Sequence, residues 1–340
     1  MRRLQKTSEK ELLRSFVRMI RAKKTPTRGI IVGAGDDTAV VRPKSGEDLL
    51  VTTDILVENR HFKRGWFTGR ELGWRLAAVN LSDIAAMGGK PLYGTLSLAL
   101  PSQVGVDFVR GVERGVRDHL AAYGATIVGG NVSGIQRTIV CDLSLVGSCA
   151  KGRAWRRRCR PGRDAIVVVG SLGEARAGLD LLERGVRPRF SKKLIRAFKK
   201  PRPLLAVANL LRNEKAIHGA IDVSDGLSTD LIHICENSDA GCVIDAGTLP
   251  ISKPLEAFCD KYGKDPTGMA LNGGEDYALI LSVDSAKARV ICSRIKSALG
   301  LPARVIGRFT GDDGVYQITD VRGRRRKFEA KGWDHLSSRK

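Results

Sequence analysis

Aromatic residues are scarce in this chain, 5% of its 340 residues, and they are not interleaved with the basic runs. That argues against the stacking platforms on which single-stranded nucleic acid is held. No apolar run approaches the roughly 20 residues of a membrane-spanning helix. The opening MRRLQKTSEKELLRSF is basic but has no apolar stretch leading to a small-residue cleavage site. The seven cysteines are odd in number, scattered, and without C-x-x-C spacing. Neither a disulfide framework nor a paired-cysteine zinc site is indicated, and a cytoplasmic protein without a membrane partner is expected. Cys141, Cys235 and Cys242 lie in apolar segments and read as small core residues. Acid is also in deficit: 36 Asp and Glu against 58 Lys and Arg give a net charge of +22. Such a balance favours an anionic partner, either nucleic acid or phosphorylated small molecules.

What is present is enough apolar material, 42%, for a substantial core, on a chain long enough for two domains. Ser8 and Glu11 form a capping-box pattern ahead of a helix. Strand patterns over 49–57, 93–100, 125–128 and 138–146 alternate with helical patterns over 70–87 and 106–123. The strand over 125–128 is expected to end in Gly129-Gly130-Asn131. Strands over 164–170, 242–245 and 304–309 and helices over 204–211 and 286–299 continue the alternation. The expected class is α/β with mixed sheets, in two domains over 1–150 and 151–340. The turn at Gly170 and Gly173, between a strand and a helix, has the look of a loose phosphate loop. The basic runs at 151–163, 187–203 and 321–327 read mostly as solvated surface.

Acid is concentrated in five clusters, each against an apolar run: GAGDDTAVV, VTTDILVENRHF, VNLSDIAAMGG, AIDVSDGLSTD and LNGGEDYALIL. A strand that opens on the pair Asp36-Asp37 is poor core material. It suits a hard cation such as Mg²⁺, which takes oxygen ligands and keeps waters for a phosphate to replace. The strand over 49–57 has a polar middle, Thr52-Thr53-Asp54. Metal or phosphate contact accounts for that, and so does a plain strand end or bulge. Asn80 and Asp83, three apart, share one helix face. Taken singly each feature has a bland reading. The paired acids suit a turn. His61 suits a hydrogen-bonded structural histidine, Glu275 and Asp276 a solvated loop, and Trp333 an anchor for the tail.

In order along the chain, GAGDDTAVV, TTDILVENRHF, VNLSDIAAMGGKP, AIDVSDGLSTDL, GGEDYAL and KGWDHL together resemble the thiamine-monophosphate kinase family. That family belongs to the ATP-binding superfamily of aminoimidazole ribonucleotide synthetase, selenophosphate synthetase and the hydrogenase maturation factor. The resemblance covers nearly the whole chain. It implies Mg²⁺-dependent transfer of the ATP γ-phosphoryl group to thiamine monophosphate, giving thiamine diphosphate, with no covalent phosphoenzyme and no catalytic side chain beyond positioning and metal ligation. It also implies a homodimer in which the N-terminal sheets of two copies form one barrel. Carried over by motif, Asp37, Thr52, Thr53, Asp54, Asp83, Asn131, Asp222 and Asp225 become Mg²⁺ ligands. Gly130, Asn131, Ser224 and Arg157 become ATP contacts, with Arg156 and Arg158 adjacent alternatives to the last. His61, Glu275 and Trp333 become contacts to thiamine monophosphate. One position departs: where the family has Gly-Gly-Asp-Thr, this chain has Gly130, Asn131 and Val132, which removes a negative charge from the cation site. Two other readings stand beside this one. One is a kinase or synthetase of the same superfamily with a different acceptor. The other is a nucleic-acid-binding protein, or nucleic acid binding as a nonspecific side activity.

Overall fold

The computed structural model describes residues 29–32 and 40–330. The helix expected from Ser8, the pair Asp36-Asp37 and Trp333 lie outside the described residues. The chain divides into two compact units. One runs to Ala154; the other runs from Trp155 and also takes in Ala85–Gly88.

In the first unit, β1 (Ile30–Val32) pairs with β2 (Val40–Val41). The main sheet has the order β3 (Glu47–Val57), β6 (Val140–Ala150), β4 (Lys90–Pro101), β5 (Thr126–Ile135). The first three strands are antiparallel, and β5 joins β4 in parallel. Strand β6 shows why the sheet has two unlike faces. Cys141, Leu143 and Leu145 are fully buried, whereas Asp142, Ser144 and Val146 between them are only half-buried. Alternation of this kind marks a sheet covered on one side. The cover is α1 (Gly69–Ala86) and α2 (Val106–Ala121): Ile84 of α1 reaches Gly147, and Leu120 of α2 reaches Gly94. Val109, Val112, Val116 and Leu120 give α2 its buried stripe.

The two helices cross at glycines. A Cβ on Gly69 would stand 2.0 Å from the Phe108 carbonyl oxygen, one on Gly73 2.0 Å from that of Val112, and one on Gly115 2.3 Å from that of Arg70. Backbone therefore meets backbone, a geometry open only to residues without a side chain.

The second unit holds a seven-stranded sheet in the order β13-β12-β9-β11-β7-β10-β8, antiparallel except where β12 joins β9. Its strands are β7 (Asp164–Val169), β8 (Ile217–Asp222), β9 (Gly241–Asp245), β10 (Leu279–Asp284), β11 (Ala303–Thr310), β12 (Tyr316–Thr319) and β13 (Arg325–Lys327). The central strand β7 is buried at all six positions. Helices α3 (Glu174–Arg184), α4 (Ser191–Lys199), α5 (Leu205–Leu211), α6 (Leu227–Glu236), α7 (Lys253–Tyr262), α8 (Pro266–Asn272) and α9 (Ala288–Leu299) accompany it. Leu227, Leu231 and Ile234 of α6 pack with Ile166, Val168, Ile221, Ile280 and Phe309 of the sheet. Asp164 pins three strands together, accepting from Ser282 Oγ at 2.6 Å and meeting His218 Nδ1 at 2.8 Å.

Two expectations change. Strand β5 does not stop at Gly129-Gly130-Asn131; it continues to Ile135 because β4 pairs with it throughout. The basic run at 187–203 is not all surface. It contains α4, in which Leu194 and Phe198 are buried while Lys192, Lys193 and Arg196 are exposed. Among the described residues no helix is long and apolar enough to cross a membrane, and all seven cysteines are free, six of them buried.

The helix crossing makes a direct prediction. Gly73→Ala must push α1 and α2 apart and should cost about 1–3 kcal/mol, the usual range for overpacking. Gly65→Ala, where no atom of the described residues lies within 4 Å of the new methyl group, should be near neutral. Urea denaturation of both variants compares them, and equal midpoints would refute the tight crossing.

Candidate functional site

Strand pleating decides what the sequence Thr52-Thr53-Asp54 can do. Successive side chains point to opposite faces, so Thr52 and Asp54 share the helix-covered side and Thr53 does not. Thr52 Oγ1 donates to Asp83 Oδ2 of α1 at 2.5 Å. Thr53 Oγ1 instead donates to Asp142 Oδ2 at 2.9 Å and takes a bond from Ser144 Oγ at 3.2 Å, on the open face. The Thr53 side chain therefore cannot share one ion with those of Thr52, Asp54 and Asp83.

Gly130 and Asn131 divide in the same way. Through the strand register, Asn131 aligns with Ser97 and Asp142, on the open face. Within this unit its side chain is across the sheet from Asp54 and Asp83. Its Oδ1 accepts the Val132 N–H at 2.9 Å, which occupies a backbone donor on an edge strand. Gly130 has a packing reason of its own, since a Cβ there would stand 2.1 Å from the Leu96 carbonyl oxygen. His61 closes the turn after β3. Its Nδ1 accepts the Val57 N–H at 3.0 Å, and Asn59 within that turn has φ of 66°. Buried Glu58 braces the same turn, accepting from Ile139 N–H at 3.1 Å and pairing with Arg64 at 3.0 Å.

In the second unit the acids gather at the end of β8. Asp222 is buried as the last residue of that strand. The loop that follows is shaped by Asp230, on the first turn of α6: its Oδ2 accepts the N–H groups of Ser224, Asp225 and Gly226 at 3.0, 3.1 and 3.2 Å. Burial, then the charges of Asp222 and Asp225, push the Asp230 carboxyl up to about 8 against the pull of those bonds. The GGEDY loop lies against this one. Glu275 N–H donates to the Ser224 carbonyl at 2.7 Å, and Tyr277 N–H to that of Val223 at 2.9 Å. Glu275 and Tyr277 have φ of 58° and 50°, a left-handed conformation that costs side-chain-bearing residues about 1–3 kcal/mol each and that clusters at functional sites.

Asp276 is half-buried, and its carboxyl group is spent inward on a helix start and not on solvating this loop. Its carboxylate accepts Gly173 N–H at 2.5 Å and Ala175 N–H at 3.0 Å, at the start of α3. The turn at Gly170 and Gly173 is thus not an open phosphate loop, because the acceptor at this helix N-terminus is the protein's own carboxyl group. Nothing in the sequence other than the acid itself marked Asp230 or Asp276 for these roles. Arg157 lies in a segment that runs along the outer edge of β8. Trp155 and Cys159 are its buried anchors, and the Arg156 carbonyl accepts Ala220 N–H at 2.9 Å. Arg156, Arg157 and Arg158 are all exposed.

Among the described residues no three His, Cys, Asp or Glu side chains form a metal cage. The donors here are all hard oxygens. The repulsion among Asp222, Asp225 and Asp230 is also of the kind that a divalent cation relieves.

Residues 35–149 match the family described as AIR synthase related protein, N-terminal domain, and residues 161–319 the one described as AIR synthase related protein, C-terminal domain. A thiamine-monophosphate kinase from Aquifex aeolicus is 35% identical over 304 residues, 89% of this chain and 92% of that protein. The crystal structure of thiamine-monophosphate kinase from Stenotrophomonas maltophilia K279a superposes with a TM-score of 0.79 at 30% identity, covering 94% of this chain and 96% of that one. A structure of AaThiL complexed with AMPPCP and TMP does so with a TM-score of 0.76 at 30% identity, covering 99% of both chains.

Burial pushes the Asp276 carboxyl up to about 7 from an ordinary 3.8, against the two N–H bonds. The folded chain therefore holds a proton that the unfolded chain releases. The stabilisation this gives is complete below about pH 4 and is lost as pH rises to about 7. Relative to Asp276→Asn, the wild type should lose a few kcal/mol of stability across that window, at about 1.4 kcal/mol per pKa unit. Urea midpoints of both proteins at several pH values measure the difference, and parallel profiles would refute it.

Proposed function

The chain belongs to the thiamine-monophosphate kinase family, and from that membership we infer that it transfers the γ-phosphoryl group of ATP to the phosphate of thiamine monophosphate, giving thiamine diphosphate. The observation that carries this reading is a likeness running through both units to relatives of that name, one of them bound to AMPPCP and TMP.

Both reactants are phosphate anions, so the enzyme's task is to bring like charges together in line; little covalent work falls to side chains. Mg²⁺, when bound, bridges and neutralises phosphate oxygens. In the first unit Thr52, Asp54 and Asp83, with Asp37, would hold it. In the second unit Asp222 and Asp225 would do so. Ser224 sits in a loop whose backbone Asp230 already fixes, and it would present its hydroxyl to ATP. Gly130 and Arg157 would also contact ATP, the arginine as an exposed cation for a phosphate. His61, Glu275 and Trp333 would contact thiamine monophosphate. Thr53 and Asn131, on the open face with Asp142 and Ser144, would serve a different ion if they serve one. Free cysteines throughout fit a reducing compartment such as the cytoplasm.

The quaternary reading is a homodimer through the first unit, with two sheets closing into one barrel. Its support is the open face of β3, where Leu49, Val51 and Ile55 are 47%, 75% and 49% exposed in a single chain. An apolar strand face of this kind calls for a cover. Val51→Glu should therefore convert a dimer mass to a monomer mass in light scattering at micromolar concentration. A wild-type monomer would end the proposal.

The activity is tested by incubating purified protein with ATP, Mg²⁺ and thiamine monophosphate and following thiamine diphosphate. Asp54→Asn and Asp83→Asn keep side-chain shape and remove charge. Each should lower turnover at least a hundredfold with the fold retained, a loss of about 3 kcal/mol or more in transition-state stabilisation. Near-wild-type rates in either variant at limiting Mg²⁺ would count against the metal assignment.

A further inference from the structure

Asn80 lies on α1 one turn before Asp83 and is completely buried. Its amide orientation is fixed by chemistry: the group facing the Leu76 carbonyl at 2.9 Å must be the Nδ2 donor. The side-chain carbonyl is thereby turned away from that partner, and Oδ1 has no hydrogen-bond partner among the described residues. A buried acceptor left empty is unfavourable, and native structures rarely keep one without a ligand, ion or water to fill it. Residues three apart share a helix face with Cβ atoms about 5–6 Å apart, and the face in question is the one from which Asp83 takes its bond from Thr52.

We propose that Asn80 is a positioning residue for the cation held by Thr52 and Asp83, its Oδ1 accepting a hydrogen bond from a water that the cation carries. The inference rests on the cation site proposed above and deepens it. Three features point this way. The unfilled acceptor is neutral, so it takes a donor without adding charge. Mg²⁺ retains several waters, each of which is a donor polarised by the metal. Residues at this spacing have Cβ atoms about 5–6 Å apart, a span of the order that one bridging water covers. A structural role alone would leave the Nδ2 bond to Leu76 intact but would give the carbonyl nothing to do.

Mn²⁺, counted by electron paramagnetic resonance without nucleotide or thiamine monophosphate, is the probe. Asp83→Asn should abolish one Mn²⁺ site. Asn80→Leu, of similar volume, should weaken that same site on the order of tenfold, the usual effect of losing an outer-shell partner, with its circular dichroism and melting temperature unchanged. Asn80→Asp keeps the acceptor and adds charge. It should bind Mn²⁺ at least as tightly as the wild type, and added Mg²⁺ should raise its melting temperature by more than it raises the wild type's. If Asp83→Asn loses the site while Asn80→Leu binds normally, the role of Asn80 is overturned and the cation site stands. If both bind normally, the cation site itself is overturned. If Asn80→Leu does not fold, the Asn80→Asp titration decides, and a melting temperature indifferent to Mg²⁺ overturns the role.

Discussion

Carboxylates held closer together than their charges favour are the constraint on which the second unit is built. Asp222, Asp225 and Asp230 crowd the end of β8, and the cost appears in the upward push on Asp230. The fold offsets it with backbone: three consecutive N–H groups converge on one oxygen of Asp230. That arrangement fixes the path of Ser224–Gly226 before any ligand is considered. The GGEDY loop then takes its position from the carbonyls of Val223 and Ser224, and its left-handed residues Glu275 and Tyr277 keep their strained backbone because the neighbouring loop over-determines it. Asp276 repeats the device at the start of α3. In both places an internal carboxyl group occupies converging N–H groups that would otherwise suit a phosphate.

The first unit answers to a different constraint, the two-residue period of a strand. Thr52-Thr53-Asp54 reads as one polar patch, yet pleating sends Thr52 and Asp54 to the side of Asp83 and sends Thr53 to the side of Asp142. Asn131, where the chain departs from its family's pattern, falls on the second side. The missing charge at that position is therefore not a loss from the set built around Asp83. On this unit's own geometry the two oxygen-bearing faces are chemically separate.

Much of the fold was legible because alternation and helical periodicity are strong over long, half-buried elements such as β3, β4, α1 and α2. The misses have physical causes. The sequence Gly129-Gly130-Asn131 has the composition of a turn, and only pairing with β4 makes it strand. Helix α4 hides in a cationic run because exposed Lys and Arg outnumber its two buried anchors, Leu194 and Phe198. Helix α8 did carry a signal, Asp265 followed by Pro266, and Asp265 accepts from Thr267 and Gly268 N–H as an N-cap. The acids of the candidate site were legible as charges but not as geometry. Sequence spacing cannot say that Asp230 faces inward to hold a loop while Asp222 ends a strand. Nor can it say that Asn80, read only as sharing a face with Asp83, leaves a buried acceptor unfilled.

Charge sorting connects these details to the proposed chemistry. Among the described residues the basic excess lies largely on exposed segments such as Arg156–Arg158, α4 and β13, whereas the carboxylates of the candidate site are buried or half-buried. The long-range field of such a chain draws anions in. At contact range a bare phosphate would meet Asp222 and Asp225 and be repelled, while a phosphate carrying Mg²⁺ would find oxygen ligands for its metal. On the proposed reading, a basic protein with acidic binding sites would favour the metal-bound form of its substrate. The same arrangement removes the apparent contradiction between a strongly cationic composition and a site lined with aspartate.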